Sequence, residues 1–149
     1  MKEENARKSL LGGRNVAPLN EREQVRAANV FAGLDFNVSA RYEAGAATRF
    51  VSGIGEGGEE YGEIIFSADI YPGTSVINPN AALSLKGAAA HELAHFYRWQ
   101  DKTELPHGEL MHIDEAMTSL EAALRYGNGL SPSDLQGLIS DSLHRLKLY

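Results

Sequence analysis

The chain has 149 residues, a formal net charge of −6 and no cysteine. The acidic balance argues against a nucleic-acid partner, and the absence of cysteine excludes disulfides, thiolate metal sites and cysteine nucleophiles. The length predicts a single domain, which we place at residues 19–149 behind a polar, poorly ordered segment at 1–18. Neither an apolar run of about 20 residues nor an apolar N-terminal segment is present. We therefore predict a cytoplasmic protein with no membrane partner, although export by another route would leave the same pattern.

The first half of the chain predicts one helix followed by several strands. The helix begins at Asn20, which can cap it, and ends near Gly33. Its apolar side is formed by Val25, Ala28 and Ala32, with Phe31 at the edge. Strands are predicted at 36–43, 48–52, 63–71 and 75–77. The glycine-rich run 53–62 predicts a mobile loop, either a lid or a simple hairpin.

The second half predicts three helices. The first, at about 79–100, starts with Asn78 as N-cap and has the core stripe Leu85, Ala89, Leu93 and Phe96. The second, at about 113–126, has the core stripe Ile113, Met117, Leu120 and Leu124 and a solvated flank of Asp114, Glu121 and Arg125. The last follows Ser131 and buries Leu135, Leu138, Ile139, Leu143 and Leu146. One helix, three or four strands and three helices make an α+β pattern.

The first of these three helices carries the sequence His91-Glu92-Leu93-Ala94-His95. Residues four apart share one helix face, so His91 and His95 can hold one metal ion, and neutral imidazole nitrogens suit Zn²⁺. Glu92 lies one position further round the helix and can take a proton from a zinc-bound water. The histidine flank is otherwise made of small residues, which are Gly87, Ala88 and Ala94. That leaves room for water, a substrate or a second liganding helix, although small residues also simply allow close packing.

A catalytic zinc usually has three protein ligands, so another element is expected to supply the third. Helix phase counts against Asp114 and Glu121, which lie on the charged flank of the second helix. His107 lies in a loop, where an exposed histidine is the simpler expectation. Glu115 and His112 share a side of the second helix whose other residues are mostly small, and both remain open as the third ligand.

The spacing of these residues resembles a known class of zinc peptidase. His91-Glu92-Leu93-Ala94-His95, followed twenty residues later by Glu115-Ala116, is similar to the gluzincin pattern. A closer likeness, over about residues 61–126, is to the ImmA/IrrE metallopeptidase family. Its motifs here are Val76-Ile77-Asn78-Pro79-Asn80, then Ala90-His91-Glu92-Leu93-Ala94-His95, then Glu115-Ala116-Met117. Met117 and Ser119 stand where that family has Asn and Phe, and Lys86 is the basic residue nearest its usual Arg.

The resemblance implies that Glu115 is the third zinc ligand. It also implies a minimal zincin-like domain, with a small mixed sheet of three to four strands packed on the two metal-binding helices. In such a site we expect Glu92 to accept a proton from zinc-bound water and pass it to the leaving amine. We expect an extended protein or peptide substrate to add to the strand at 63–71. The tetrahedral oxyanion is expected to be stabilised by one of four side chains, which are Tyr71, Tyr61, His107 and His112.

The sequence therefore predicts zinc-dependent hydrolysis of a peptide bond in a specific protein, in a regulatory or effector role. The alternative is a catalytically inactive binding module that zinc stabilises. Glu92 favours the enzyme, because a structural zinc site does not need a base beside its ligands. A secreted or injected protease would share the chemistry and differ only in its setting.

Overall fold

A four-stranded sheet and four α-helices build the part of the chain that the computed structural model describes, which is residues 4–8, 10, 13–73, 83–106 and 108–148. The helices are α1 (Glu21–Asp35), α2 (Leu85–Gln100), α3 (Met111–Tyr126) and α4 (Pro132–Lys147). The strands are β1 (Glu4–Lys8), β2 (Ala40–Tyr42), β3 (Arg49–Ile54) and β4 (Glu60–Phe66). The predicted α+β class is confirmed.

The sheet is mixed and has the strand order β1-β3-β4-β2. β2 runs parallel to β4, whereas the β1–β3 and β3–β4 pairs are antiparallel. The glycine-rich run predicted as a loop is the hairpin between β3 and β4, closed by a hydrogen bond from Gly55 N to Glu59 O. Gly58 has a φ of +83°, a conformation that favours glycine in such a turn.

The first half of the sheet departs from the predicted strands in two places. The N-terminal segment contributes β1, which was not predicted, because its backbone can pair with the free edge of β3 in register from Glu4 opposite Gly53. The strand predicted at 36–43 shortens to β2, because α1 continues to Asp35 with Phe36 as its C-cap. Phe36 is consequently 81% exposed rather than facing the core.

β4 also differs from the predicted third strand at 63–71. It begins earlier and ends at Phe66, after which Ala68–Ile70 forms a 3-10 turn. The turn is fixed by Asp69, whose carboxylate accepts hydrogen bonds from the backbone N and the hydroxyl of Thr48. β4 lies between β3 and β2, so it is not the sheet edge that was expected to receive a substrate. The strand predicted at 75–77 lies outside the described residues.

α2 is the central helix, and both of its faces are buried. Its sheet side packs into the main core, as predicted for Leu85, Ala89 and Leu93, with Phe96 partly buried against the same cluster. The opposite side belongs to a smaller cluster in which Ala90 and Ala94 meet residues of α3 and α4. The helix begins at Leu85 behind the N-cap Ser84, later than predicted, and the expected cap Asn78 lies outside the described residues.

α1 packs into the same main core as α2 and contacts β4 of the sheet. Its predicted N-cap is confirmed, because Asn20 and Glu23 form a reciprocal capping box at 2.9 and 3.0 Å. The buried residues are Ala27 and Phe31, whereas Val25 and Ala32 are exposed. Phe31 stacks on Phe66 of β4 at a ring-centroid distance of 5.6 Å. The buried face of α1 is therefore centred on Phe31, which was predicted to lie only at the edge of that face.

α3 and α4 turn their apolar stripes outward and their polar side chains inward. On α3, Met117, Leu120 and Leu124 are exposed, and Leu124 reaches 87%. The buried residues of α3 are Asp114, Glu115, Ala116, Thr118, Ser119 and Ala122. On α4, Ile139, Leu143 and Leu146 are exposed, whereas the buried residues are Asp134, Leu138, Asp141, Ser142 and Arg145. The predicted core stripes of both helices are therefore largely wrong, although Leu138 is buried as predicted and Leu135 packs partly buried against the same cluster. No helix in the described ranges combines the length and the apolar character needed to cross a membrane.

A buried ion pair joins α2 to the start of α3. The Arg98 guanidinium donates to the Asp114 carboxylate and to Thr103 O, and the same carboxylate accepts from Leu105 N at 2.8 Å. Arg98 and Asp114 are almost fully buried, so the prediction that Asp114 lies on a solvated flank is wrong. The pair fixes the loop between the two helices and sets the position of the first turn of α3.

Asp35, at the end of α1, joins three helices. Its carboxylate accepts hydrogen bonds from the hydroxyls of Tyr97 on α2 and Tyr126 on α3. Desolvation and the hydrogen bond to Asp35 raise the pKa of Tyr97 to about 12. Arg125 lies over the Tyr97 ring at 4.1 Å from its centroid, which adds a cation–π contact to the cluster.

We predict that Arg98→Met lowers the free energy of unfolding by about 3–5 kcal/mol, because it leaves the Asp114 carboxylate buried without its guanidinium. Urea denaturation followed by circular dichroism measures the loss. Arg41→Met is the control, since the Arg41 side chain is half exposed where it pairs with Glu63, and it should cost less than about 1 kcal/mol. Equal losses in the two variants would contradict a dominant role for the buried pair.

We predict an alkaline loss of stability that depends on Tyr97. A pKa raised on folding means that the fold favours the neutral phenol, so this contribution is complete below about 10, the ordinary value, and is lost as the pH rises through about 12. Tyr97→Phe should be less stable near neutrality but should lose less stability over that interval. Unfolding curves recorded across the alkaline range test this, and an unchanged slope in Tyr97→Phe would count against it.

Candidate metal centre

The centre of the molecule holds the three polar residues of the His91-Glu92-Leu93-Ala94-His95 sequence. His91, Glu92 and His95 are each 0% exposed. They follow two turns after the N-cap of α2, where the Ser84 hydroxyl accepts from Gly87 N and donates to the Asp134 carboxylate of α4. The imidazoles of His91 and His95 have ring centroids 5.0 Å apart and lie nearly perpendicular. The helical spacing therefore brings both rings to one side, as predicted.

α3 brings Glu115 to both imidazoles. Oε1 of Glu115 lies 3.1 Å from Nε2 of His91 and 2.9 Å from Nε2 of His95. Glu115 is 2% exposed, and it follows Asp114, whose ion pair with Arg98 fixes this turn of α3. Two nitrogen atoms and one carboxylate oxygen from two different helices thus face one point.

The charges of these groups are strongly coupled. Burial lowers the pKa of His91 below its ordinary value. Burial is the largest single effect on the pKa of His95 and acts to lower it, but the charge and hydrogen bond of Glu115, together with the charges of Glu92 and Asp114, outweigh burial and leave that pKa raised. For Glu115, burial acts to raise the pKa, but the charge of His95 and the close contacts with both imidazoles together outweigh burial and leave the pKa well below its usual range.

A chain of polar contacts continues from His91 to α4. Nδ1 of His91 lies 2.8 Å from the Ser119 hydroxyl, which donates to Oδ2 of Asp141 at 2.6 Å. The same oxygen accepts from Nε of Arg145 at 2.8 Å, and a guanidinium nitrogen of Arg145 lies 3.8 Å from Oε1 of Glu115. Ser119, Asp141 and Arg145 are all buried, so α4 closes this side of the centre.

The residues that meet here suit a zinc ion. Ligand atoms of His91, Glu92 and His95 lie within 4.8 Å of one another, and so do those of His95, Asp114 and Glu115. We take His91, His95 and Glu115 as the ligand set, because both Nε2 atoms face the same oxygen, whereas Asp114 is bound to Arg98. Two imidazoles and one glutamate are a known catalytic zinc set. Donors around one tetrahedral zinc lie about 3.4 Å apart, close to the distances found here.

The balance of charge also favours a cation. Three carboxylates, those of Glu92, Glu115 and Asp141, are buried together with the guanidinium of Arg145. A second guanidinium, that of Arg14, lies close enough to Glu92 and Asp141 to interact with both charges. Metal-bound imidazoles are neutral, so negative charge is in excess when both bind, and a bound cation offsets this excess. Without a metal, a proton on His95, whose pKa is raised, offsets the same excess.

Arg14 was not foreseen, because it lies in the segment predicted to be poorly ordered. Its guanidinium donates to three backbone carbonyls, those of Asp69, Ile70 and Leu83, at 2.7–2.9 Å. Burial lowers the pKa of Arg14 to about 10 despite the attraction of the surrounding carboxylates. These bonds tie the N-terminal segment to the entrance of α2, just ahead of the candidate ligands.

The other predicted site residues lie elsewhere or carry no described contact with the centre. His112 is half-buried on α3, and Nδ1 of His112 has no hydrogen-bond partner in the described part of the chain. The Tyr71 hydroxyl donates to Glu23 O of α1. Tyr61 lines a cleft with Phe96 and Trp99 near the end of α2. His107 lies outside the described residues.

The polar chain through Ser119, Asp141 and Arg145 was also missed by sequence reasoning. Two spacings could have indicated it. Ser119 lies four residues after Glu115 and so shares its helix face, and Asp141 and Arg145 are an i, i+4 pair on α4. The second signal was hidden by the leucine pattern of α4, which predicted a different buried face.

Comparison with known proteins gives no match to a family model, a curated protein or a solved structure. The resemblance to gluzincins and to the ImmA/IrrE family therefore rests on the motif residues alone, and membership of either stays a prediction.

We predict that the metal-free protein binds one zinc ion per chain. His91→Ala, His95→Ala and Glu115→Ala should each weaken binding at least about tenfold, because each removes a donor. Competition with a chromophoric chelator measures the affinity, and circular dichroism verifies that each variant is folded. His144→Ala, a half-buried histidine of α4, is the matched control and should bind zinc like the parent protein. Full zinc affinity in Glu115→Ala together with a loss in His112→Ala would make His112 the third ligand.

Proposed function

We propose that this protein is a zinc-dependent peptidase whose metal ligands are His91, His95 and Glu115. The observation that carries the proposal is the approach of two Nε2 atoms to one oxygen of Glu115, at 3.1 and 2.9 Å. A glutamate directly after the first histidine adds the base that hydrolysis requires. A site built only for structure would need the ligands but not Glu92.

Glu92 is the residue that moves the proton in this proposal. Zinc, when bound, supplies a Lewis acid that makes water a stronger acid and polarises a peptide carbonyl. The Glu92 carboxylate takes the proton from the attacking water and later gives it to the leaving amine. Its backbone position between the two histidines on α2 supports this role, because the helix holds its side chain within 4.8 Å of their nitrogen atoms.

The proposal extends to the fold and the substrate. A helix carrying both histidines, packed between a small mixed sheet and a second helix with Glu115, supports a minimal zincin-like domain. The substrate class is a protein or peptide, cleaved at a limited number of sites. We further propose that the protein acts in the cytoplasm.

The decisive variant is Glu92→Gln. It should bind zinc within a few-fold of the parent protein and lose at least about a hundredfold in cleavage rate, since a missing general base costs about 10²–10⁴. Mass spectrometry of a peptide library incubated with the zinc-loaded protein detects cleavage, and a chelator-treated sample sets the background. Glu121→Gln, a half-buried glutamate on α3, is the control and should cleave like the parent. Cleavage that survives Glu92→Gln would remove Glu92 from the role of base.

A second function is favoured by one observation, the burial of the whole centre. His91, Glu92 and His95 are 0% exposed and Glu115 is 2% exposed, with Arg145 closing the α4 side. A buried centre that water cannot reach would leave no open coordination position on the zinc, which is typical of structural sites, so a zinc-stabilised binding module is the alternative. X-ray absorption of the zinc-loaded protein separates the two. Three protein ligands and a water support the peptidase, whereas a fourth protein ligand supports the module.

A further inference from the structure

We propose that Ser119 and Asp141 are positioning residues that hold His91 as the tautomer with its proton on Nδ1 and thereby turn the lone pair of Nε2 toward the metal. This inference deepens the proposed function and rests on it for the identity of the metal. It concerns residues of α3 and α4 that no zinc-binding motif contains.

The direction of the hydrogen bonds follows from counting protons. Oδ2 of Asp141 accepts from Nε of Arg145 at 2.8 Å and from the Ser119 hydroxyl at 2.6 Å. A serine hydroxyl has one proton, and the carboxylate receives it. The remaining 2.8 Å contact, between Ser119 Oγ and His91 Nδ1, therefore needs a proton on the imidazole nitrogen.

The tautomer decides which atom of His91 is free to bind a metal. A neutral imidazole with its proton on Nδ1 has its lone pair on Nε2, which is the atom that lies 3.1 Å from Oε1 of Glu115. Two acceptor atoms at that distance repel each other. A cation bound between Nε2 of His91 and Oε1 of Glu115 replaces this repulsion with two favourable bonds. The hydrogen bonds from His91 through Ser119 to Asp141 therefore prepare His91 as a metal ligand.

The second histidine provides an internal comparison. Nδ1 of His95 has no hydrogen-bond partner within the described ranges, so no corresponding chain fixes its tautomer there. Ser119 and Asp141 are each 0% exposed, which keeps water from replacing either link. The control of proton position is therefore expected at His91 and not at His95.

The experiment uses two variants of the full chain, Ser119→Ala and Asp141→Asn, with Thr118→Ala as the matched control. Thr118 is also buried on α3, but its hydroxyl donates only to the carbonyl of Asp114 in its own helix. Loss of groups that orient a histidine ligand typically weakens metal binding about 10–100-fold. We expect this loss in both test variants and less than about a twofold change in Thr118→Ala, measured by chelator competition.

A spectroscopic readout separates the orienting role from a loss of packing. Nitrogen-15 spectra of labelled histidines in the metal-free protein report which ring nitrogen carries the proton. We expect the Nδ1 proton at His91 in the parent protein and in Thr118→Ala, and a shift toward Nε2 in Ser119→Ala. Proton on Nε2 of His91 in the parent protein would overturn the inference, and so would equal zinc affinities in Ser119→Ala and Thr118→Ala.

The two proposals fail in different ways. If the parent protein binds no zinc, the proposed function fails, and the metal-free nitrogen-15 spectra still decide the tautomer. If zinc binds tightly and all three variants keep full affinity, the peptidase proposal stands and the role of Ser119 and Asp141 is overturned. If Asp141→Asn does not fold because Arg145 loses its partner, Ser119→Ala alone carries the test.

Discussion

The structure depends on one buried carboxylate, that of Glu115, held by two imidazoles in a region that α2, α3 and α4 close together. An ionised carboxylate in such a place is costly by several kcal/mol unless opposite charge and hydrogen bonds offset the loss of water. The neighbouring contacts answer that requirement. The Arg98–Asp114 pair fixes the turn that presents Glu115, and Arg145 adds positive charge at 3.8 Å from its oxygen. Buried charged side chains and the partners that compensate their charge therefore occupy much of the interface between these three helices.

Small residues make this arrangement possible. Ala90 and Ala94 on α2 meet Ala122 of α3, so the two helices approach closely enough for Glu115 to reach both histidines. At Gly87, an added Cβ would lie 2.8 Å from a carboxylate oxygen of Asp134, so α4 could not approach α2 if that position carried a side chain. The sheet, by contrast, packs large aromatic and aliphatic residues on the other face of α2. One face of α2 thus packs against the sheet, and the other carries the candidate metal ligands.

Sequence patterns predicted where the helices lie better than they predicted which face of each helix is buried. The N-cap at Asn20, the core side of α2 and the histidine pair each follow from local spacing, and local spacing persists in the fold. The stripes of α3 and α4 failed because hydrophobic periodicity assumes that apolar residues face inward. Here Leu120 and Leu124 are exposed, because the buried side of α3 carries polar residues that include Glu115 and Ser119. Long-range partners such as Arg14 have no local signature, because their contacts are 55 to 69 residues away in the chain.

In the proposed zinc centre, metal binding and folding would be coupled whichever function the protein has. A metal bound to the folded chain stabilises it by about 4 kcal/mol when free zinc is a thousandfold above the dissociation constant. Removal of a ligand therefore changes stability and activity together and cannot separate a peptidase from a zinc-stabilised module. Glu92 is different, because it lies beside the proposed metal ligands and would not be needed to hold the ion. A buried glutamate kept at that position favours catalysis, since a purely structural centre would be more stable with an apolar residue there.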